Sequence, residues 1–361
     1  MTSPSEGRRA AVVGTGLIGG SIGLALRERG WYVTGRDLDE RRAARALELG
    51  ALDAVGDDTT ADITFVATPV GSIAGEARAA LERGRVVTDV GSVKGPVVAA
   101  VGSSRFVGGH PMAGSEQEGV DGADASLFTG TVWVLTPVAD TDPAAYTAVR
   151  SVVSSLGADV VEVPPETHDA LVAVVSHVPH LAAATLMRVA AEQAEEHGAL
   201  LRLAAGGFRD MTRVAAGHPG IWPDICVENG EAIVEVLSRF EAALAGMRAM
   251  VAAGDRPGLL GMLEGARAAR VNLPGRIGRP EEFAELRVPV PDRPGVLAEI
   301  TTLATDLDVN IVDLEIAHSS EGPQGVLILL VEAALAERLR GGLLARGYRP
   351  AVQALEVGEG P

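Results

Sequence analysis

Short runs of consecutive apolar residues alternate with amphipathic stretches over the first half of the chain. Seven runs predict strands, at residues 10–13, 31–35, 62–67, 85–90, 105–108, 131–135 and 159–163. Strands that lack a polar face and alternate with helices predict a parallel sheet covered on both faces. We therefore predict an α/β Rossmann-type domain over residues 8–164, which binds ligands beyond the carboxyl ends of its strands.

The pattern changes at about residue 165. Long stretches of alanine, leucine, valine and glutamate at helical spacing, such as 181–196 and 229–252, predict an all-helical domain over residues 165–273. Proline and glycine then mark a linker at 274–282. Residues 283–355 alternate as strand, helix, two strands, helix and strand, the βαββαβ order of a ferredoxin-like unit.

The loop after the first strand carries a dinucleotide-binding fingerprint, Gly-Thr-Gly-Leu-Ile-Gly at residues 14–19. In such a loop Gly14 permits the tight turn, Gly16 lets the backbone approach a pyrophosphate, and Gly19 lets helix and strand pack closely. Leu17 and Ile18 complete the predicted phosphate-binding loop, and a helix is expected over 22–29. Its N-terminus favours bound phosphate.

Two further residues belong to the predicted cofactor site. Asp37 follows the second strand at the distance expected of an acid that binds the adenosine ribose, and Thr68 ends the third strand, near the expected nicotinamide. Arg36 stands beside Asp37 and is suited to a 2′-phosphate. NAD is therefore the predicted cofactor, and NADP stays an open alternative.

Composition mainly excludes partners. The net charge is −17, from 48 acidic and 31 basic residues, so we expect neither nucleic acid nor a membrane as a partner. The single cysteine, Cys226, excludes an internal disulfide and a cysteine metal site. We see no signal peptide and no uncharged apolar stretch long enough to span a bilayer, so a cytoplasmic location is expected.

Candidate chemistry begins at the carboxyl ends of the fourth and fifth strands. His110 follows the fifth strand, where a neutral imidazole is placed to accept a proton from a substrate hydroxyl near the nicotinamide. Ser92 shares that edge and either holds the same hydroxyl or caps the next helix. Glu116 either orders the loop after His110 or is a solvated acid.

The helical region adds five polar or aromatic candidates. His177 and His180 are three residues apart and share a helix face; without a third ligand they predict substrate contacts or buried hydrogen bonds, and no metal site. His168 would face away from His177 on a straight helix and receives no role. Arg213 is suited to a substrate carboxylate, or to an internal salt bridge. Trp222 covers a ring-shaped substrate or packs an interface.

Five segments in order resemble the prephenate dehydrogenase family, with its arogenate-specific relatives: residues 14–21, 89–94, 109–116, 176–180 and 207–213. The C-terminal unit resembles an ACT domain, a ligand-sensing module. The resemblance implies NAD-dependent oxidative decarboxylation of prephenate to 4-hydroxyphenylpyruvate in tyrosine biosynthesis, or the use of arogenate to give tyrosine directly.

The resemblance also implies roles for single residues. His110 takes the proton of the ring hydroxyl, Ser92 holds that hydroxyl, and Arg213 binds a substrate carboxylate. The other substrate contacts that it implies are His177, His180, Glu116 and Trp222. It further implies a homodimer of interlocked helical domains, in which Trp222 reaches the partner's site.

The C-terminal unit is expected to bind an effector, and the resemblance makes tyrosine the natural one. The expected contacts are Asp292, Arg293, Gly295, Val296, Leu297 and Asn310, at strand ends expected to adjoin. The alternative is that the unit only adds dimer contacts.

Two other classes of function compete with this interpretation. Dehydrogenases that act on 3-hydroxy acids use a lysine of the helical domain, but residues 171–207 contain none. An NAD-binding sensor without catalysis would not need a histidine at the cofactor edge.

Overall fold

The computed structural model describes residues 7–114, 117, 119–196, 200–271, 283–291, 293–318 and 324–354. They form two compact units, Met1–Ala252 and Ala253–Pro361. The predicted linker, Glu116 and Asp292 lie outside the described residues. The domain boundaries inferred from the sequence stay predictions.

The first unit contains an eight-stranded sheet in the order β3-β2-β1-β4-β5-β6-β7-β8. Its strands are β1 (Arg9–Val13), β2 (Tyr32–Arg36), β3 (Ala54–Val55), β4 (Ile63–Val66), β5 (Val86–Asp89), β6 (Phe106–Pro111), β7 (Val132–Thr136) and β8 (Asp159–Glu162). The helices between them are α1 (Leu17–Glu28), α2 (Glu40–Glu48), α3 (Val70–Arg83), α4 (Gly95–Val101) and α5 (Pro143–Ser155). The predicted Rossmann-type sheet is confirmed; β3 escaped prediction because two residues give no alternation to detect.

One strand pairing departs from the predicted all-parallel sheet. β6 pairs with β7 in antiparallel register, with His110 opposite Val134, and β7 then pairs with β8 in parallel. Antiparallel neighbours need no crossover helix. The described part of the β6–β7 connection accordingly carries only a short 3₁₀ turn, Val120–Gly122.

Both faces of the sheet are covered by apolar side chains. On one face Ile22 and Leu26 of α1 belong to a fully buried cluster with Phe65 and Trp133. On the other face α3 and α4 form a second cluster, which Ile225 of the helical region joins. Burial on both faces is the physical reason why the strands consist of continuous apolar runs.

Helices replace strands after β8, as predicted. They are α6 (Pro165–Val172), α7 (Val178–Glu196), α8 (Gly206–Thr212), α9 (Trp222–Glu228) and α10 (Gly230–Ala253). A π-helical turn, Ala173–His177, joins α6 to α7, and 3₁₀ turns occur at Leu200–Leu203, Arg213–Ala216 and Pro219–Ile221. A π turn widens one helical turn by a residue, so side chains beyond it point in different directions from those of a straight α-helix.

One helical segment contradicts the expectation that no apolar stretch is long enough for a bilayer. Within the described residues, the helix Pro165–Ala194 is long and apolar enough by length and composition. A single helix of this kind is weak evidence for a membrane span, because helices that pack inside soluble proteins meet the same criteria.

The second unit begins with α11 (Arg256–Val271) and continues with a four-stranded antiparallel sheet in the order β10-β11-β9-β12. Its elements are β9 (Phe283–Pro291), α12 (Val296–Asp306), β10 (Ile311–His318), β11 (Gln324–Glu332), α13 (Ala333–Ala345) and β12 (Ala351–Ala354). Ile300 and Leu339 of the two helices are buried with Leu286 and Leu329 of the sheet. The unit therefore has a hydrophobic core of its own.

Candidate active site

The glycine-rich loop has the shape that a dinucleotide requires. Gly14 has φ +91°, and a Cβ there would overlap the carbonyl oxygen of Ala67. A Cβ at Gly19 would overlap the carbonyl oxygen of Gly14. At Gly16, by contrast, a Cβ would meet no described atom within 4 Å, which leaves space beside the backbone for a ligand. The three predicted glycine roles thus fit the local geometry.

Helix α1 begins at Leu17, five residues earlier than the start expected from the sequence. Its N-cap is Gly16, no side chain caps it, and no acidic residue stands in the first turn. The first N–H groups, including those of Leu17 and Ile18, are therefore suited to an anion. The earlier start strengthens the site, because the fingerprint itself forms the end of the helix.

Asp37 and Thr68 flank this loop. The Asp37 carboxylate accepts the Thr15 N–H at 2.8 Å and the Asp39 N–H at 3.0 Å, which fixes it beside the loop with acceptor capacity left for a ribose hydroxyl. Thr68 lies next to Gly14, and its Oγ1 is buried with no partner among the described residues. A bound cofactor would supply that partner.

Arg36 is held by acidic side chains of its own chain. Its Nε donates to Asp57 Oδ1 at 2.8 Å, and its Nη2 donates to Glu76. Burial opposes the charge, but the hydrogen bonds and charges of Glu76 and Asp57 outweigh it and raise the pKa of Arg36. An arginine that already has two carboxylate partners is poorly suited to a 2′-phosphate, so the arrangement favours NAD over NADP.

A chain of hydrogen bonds leads away from His110 into the helical region. His110 Nδ1 and His168 Nε2 are 2.8 Å apart, and His168 Nδ1 lies 2.8 Å from Asp169 Oδ1. His168 is 1% exposed, whereas His110 is only partly buried. The more accessible imidazole, His110, is therefore supported by the buried imidazole of His168 and the carboxylate of Asp169.

The direction of these hydrogen bonds determines which ring nitrogen of His110 carries the proton. A carboxylate only accepts, so His168 donates through Nδ1–H, and a neutral His168 offers a lone pair on Nε2. His110 then donates through its own Nδ1–H, which leaves the lone pair on its Nε2. That nitrogen can therefore accept a proton.

Electrostatics keep His110 in the unprotonated form. Burial lowers its pKa well below the ordinary value, and electrostatic interactions with His168, Lys94 and His177 lower it further. A base that is already neutral at physiological pH does not have to lose a proton before it works.

Asp169 also joins the helical region to the nucleotide-binding region. Its two oxygens accept the N–H groups of Lys94 and Gly95, each at 2.7 Å, at the start of α4. Asp169, and not Ser92, therefore supplies the cap that the sequence left open for this helix. Ser92 lies in the β5–α4 loop, half-buried.

A second group of hydrogen bonds surrounds His177. The Asn229 amide donates to His177 Nδ1 at 3.1 Å and to the Asp169 carbonyl at 2.9 Å. His177 therefore carries its proton on Nε2, a buried donor with no partner in the described part of the chain. Burial lowers the pKa of His177 to about 4, so it is a neutral donor.

Trp222 lies against histidines of its own chain. Its ring stacks on His180 at 3.6 Å with an interplanar angle of 11°, and it meets His177 edge-on at 6.2 Å. Trp222 therefore packs against His177 and His180 within one chain, and the expectation that it reaches the site of a partner stays a prediction. The same contacts unite the predicted pair His177 and His180, because both rings meet one indole.

Arg213 begins the 3₁₀ turn that packs beside α7, and its side chain is exposed in the single chain. A Cβ at Gly217, just after this turn, would lie 3.9 Å from His180 Cε1, so the turn lies beside the stacked rings of His180 and Trp222. The role of Arg213 as a substrate contact stays a prediction. Glu116 stays a prediction.

Sequence reasoning missed His168, Asp169 and Asn229. The adjacent pair His168-Asp169 was a visible signal, since a carboxylate next to an imidazole is a common way to fix a tautomer. The straight-helix argument failed at the π turn, which lies between His168 and His177.

Comparison with known protein families shows to which family the chain belongs. Residues 22–162 match the model of the prephenate dehydrogenase nucleotide-binding domain, and residues 164–265 match that of the prephenate dehydrogenase dimerization domain. The prephenate dehydrogenase of Bacillus subtilis is 34% identical over 333 residues, which cover 88% of this chain and 90% of that protein. The chain belongs to the prephenate dehydrogenase family.

Solved structures agree with this membership. A prephenate dehydrogenase of Aquifex aeolicus, in complex with hydroxyphenyl propionate and NAD+, has a TM-score of 0.69 and 30% identity and covers 74% of this chain and 99% of its own. An arogenate dehydrogenase of Synechocystis has a TM-score of 0.63 and 32% identity, over 73% of this chain and 98% of its own. This member of the prephenate dehydrogenase family is accordingly an NAD-dependent oxidoreductase.

Proposed function

We propose that the protein converts prephenate and NAD to 4-hydroxyphenylpyruvate, carbon dioxide and NADH. The chain of His110, His168 and Asp169 is the observation that carries this proposal, because it places a neutral base at the carboxyl edge of a dinucleotide-binding sheet. Arogenate is the second candidate substrate. It is favoured by the likeness to the Synechocystis arogenate dehydrogenase, and the two substrates differ only in a keto or amino group on the side chain.

The reaction needs a proton acceptor, and His110 Nε2 supplies it. Bound NAD would supply the hydride acceptor for the ring carbon that carries the hydroxyl. His110 takes the hydroxyl proton, and Asp169 stabilises the resulting imidazolium through His168. The electrons of the ring carboxylate's C–C bond then enter the ring as carbon dioxide leaves, the ring becomes aromatic, and the ring oxygen takes the proton back from His110. Ser92 orients the hydroxyl from the neighbouring strand end.

The substrate's side chain needs partners of opposite charge or donor character. We assign its carboxylate to Arg213, whose guanidinium can bind both oxygens at once. His177 Nε2–H is a buried neutral donor for a second substrate oxygen. Trp222 and His180 form a flat apolar surface for the ring.

The proposed reaction is tested by mixing the protein with NAD and prephenate, arogenate or a 3-hydroxy acid, and following NADH absorbance. We expect turnover with prephenate, and the arogenate rate ranks the second candidate. NADH formed only with the 3-hydroxy acid, or with no substrate at all, would contradict the proposal.

Cofactor choice gives a first prediction. Asp37→Ala removes both the ribose acceptor and a hydrogen bond to Thr15, so we expect NAD affinity to fall and the preference over NADP to narrow. The preference should not reverse, because Asp57 and Glu76 still hold Arg36. The measurement is kcat/KM for both cofactors. A wild-type enzyme that prefers NADP would show that Arg36 controls the pocket.

Substrate binding gives a second prediction. Arg213→Gln should reduce kcat/KM for prephenate roughly 10- to 100-fold, mainly through KM, because a hydrogen bond to a charged group contributes ~1.5–3 kcal/mol. NAD affinity should stay unchanged. Arg209→Gln is the matched control: it is exposed on neighbouring α8 and donates to the Ala204 carbonyl. Equal losses in both variants would remove Arg213 from the substrate site.

We also propose that the protein is a homodimer formed through its helical region. Large apolar side chains are exposed there, and those on α6, α7 and α10 include Leu171, Val189, Val234, Phe240, Leu244 and Val251. Exposed apolar surface of this extent is typical of an interface. The match to the family's dimerization domain supports a second copy of the chain as its cover.

The second unit is proposed to be an ACT-type domain with a ferredoxin-like fold that binds tyrosine. A cavity of ≈ 390 Å³ lies between the β9–α12 turn and the adjoining ends of β10 and β11. Its lining includes four predicted effector contacts, Arg293, Gly295, Val296 and Leu297. An apolar lining with one guanidinium and an uncapped helix start suits an amphiphilic amino acid.

Asn310 does not share that cavity. It precedes β10 at Ile311, which pairs with Val331, whereas the cavity lies near Ile316 and Gly325 at the other end of the two strands. The expectation that Asn310 and the turn lie at adjoining strand ends is therefore wrong within one chain. The helix α12 runs the length of the sheet between them, which separates its two flanking loops.

Regulation gives a third prediction. Leu297→Glu places a carboxylate in the cavity lining and should raise the tyrosine concentration for half-inhibition roughly 10-fold or more, because like charges repel. Basal activity should stay unchanged. Leu344→Glu, at an exposed site of α13 outside the lining, is the control. Inhibition that persists in the first variant and competes with prephenate would place tyrosine in the catalytic pocket.

A further inference from the structure

The chain contains a single lysine. Of 31 basic residues, 30 are arginines, and the exception is Lys94. Its side chain is 0% exposed, as is that of its ion-pair partner, Asp89. Arginine is the more usual residue in buried ion pairs. A lone lysine at such a position indicates a requirement for a compact ammonium group.

The Lys94 side chain passes close to two glycines. A Cβ at Gly91 would lie 3.7 Å from Lys94 Nζ, and a Cβ at Gly108 would lie 3.4 Å from Lys94 Cδ. Lys94 thus extends between backbone segments that carry no side chains at their closest points. A planar guanidinium has more heavy atoms to place in the same space.

The ion pair binds the backbone next to His110 from both sides. Lys94 Nζ donates to the Gly109 carbonyl at 2.8 Å, while Asp89 Oδ1 accepts the Gly109 N–H at 3.1 Å. Gly109 immediately precedes His110 on β6. The position of the proton acceptor is therefore tied to two side chains that do not touch it.

The same carboxylate also reaches the loop that carries Ser92. Asp89 Oδ2 accepts the Gly91 N–H at 2.8 Å, in addition to its bond with Lys94. Ser92 follows Gly91 directly. One buried group thus connects the two segments assigned to the substrate hydroxyl.

We propose that Asp89 and Lys94 are positioning residues, which fix the distance between Ser92 and His110. The inference rests on the proposed function of those two residues. The other titratable groups that act on His110 are His168 of α6 and His177 of the π turn, and Asp169 is hydrogen-bonded to His168.

The charge of Lys94 also acts on His110, and the direction of this effect on the His110 pKa follows from the sign of that charge. Lys94 repels the imidazolium form of His110, so its removal should raise the pKa of His110. Because the neutral form is the base, the acid limb of kcat/KM should then move to higher pH. Loss of a purely structural contact would lower the amount of folded enzyme without moving that limb.

The test compares Lys94→Met, Asp89→Asn and the double variant. Removal of one partner strands a buried charge, whereas the double variant removes both charges together and should fold. We expect Lys94→Met and the double variant to lower kcat ~100-fold, the cost of a small misplacement of reacting groups, with NAD affinity unchanged. Arg188→Met, which breaks an exposed ion pair with Glu192, is the matched control for loss of a cation.

Two readouts keep the outcome decisive. NMR titration of the His110 ring should show a higher pKa in Lys94→Met than in the wild type. This readout does not depend on turnover. Failure of the wild type to oxidise prephenate would overturn the proposed function separately. A folded double variant with wild-type kcat would overturn the positioning role. So would an unchanged His110 pKa in a folded Lys94→Met variant.

Discussion

Replacement of His110 by alanine is expected to lower kcat by ~10²–10⁴-fold, the usual contribution of a general base. The lone pair on Nε2 is the acceptor that the hydrogen-bond chain prepares, and alanine leaves the substrate hydroxyl without one. NAD affinity should remain at the wild-type level, because the glycine-rich loop and Asp37 are not altered. Steady-state kinetics and calorimetric titration with NAD measure the two quantities.

The pH dependence of the wild type adds an independent check on His110. The active form is neutral, so kcat/KM falls as pH drops through the pKa of the free enzyme. Burial depresses that pKa, and the acid limb should therefore lie below pH ~6.5, the ordinary value for histidine. An acid limb at or above that pH, or near-normal turnover of the alanine variant, would assign the base elsewhere.

Asp169→Asn should be almost as damaging, although residue 169 is proposed to act on the substrate only through His168. An asparagine amide that donates to His168 Nδ1 forces the His168 proton onto Nε2. His110 must then accept at Nδ1 and carry its own proton on Nε2, where the base is needed. The equivalent inversion of tautomers in a Ser-His-Asp triad costs ~10⁴ in kcat.

The Asp169 variant also disturbs the start of α4, since an amide cannot accept both the Lys94 and Gly95 N–H groups as a carboxylate does. Melting temperature and NAD affinity separate that effect from catalysis. Asp159→Asn, an exposed acid at the start of β8, controls for the charge change. A stable Asp169→Asn variant with wild-type kcat would show that the relay is not needed.

The nucleotide-binding half was predictable because its signals are local. The roles of Gly14, Gly16 and Gly19 depend on contacts within one strand, loop and helix, and the sequence contains all three elements in order. The strands were found because burial on both faces leaves continuous apolar runs. The strand β7 was predicted but its antiparallel direction was not, since direction depends on a connection that has no hydrophobic period.

The substrate half was only partly predictable because its contacts cross long stretches of chain. His110 and His168 are separated by 58 residues, and Asn229 reaches His177 across 52. Helical periodicity placed His177 and His180 together but separated His168 from them. A single extra residue in one turn removed the basis of that argument.

The cap that Asp169 forms on α4 has a mechanical consequence. The Asp169 carboxylate that supports His168 also holds α6 against the start of α4. A relative motion of these two helices would break its bonds and disconnect His110 from its support. Opening for substrate exchange must therefore be accommodated by other parts of the chain. The amide protons of Lys94 and Gly95 therefore report whether this arrangement is intact, because their exchange with solvent requires the hydrogen bonds to Asp169 to break.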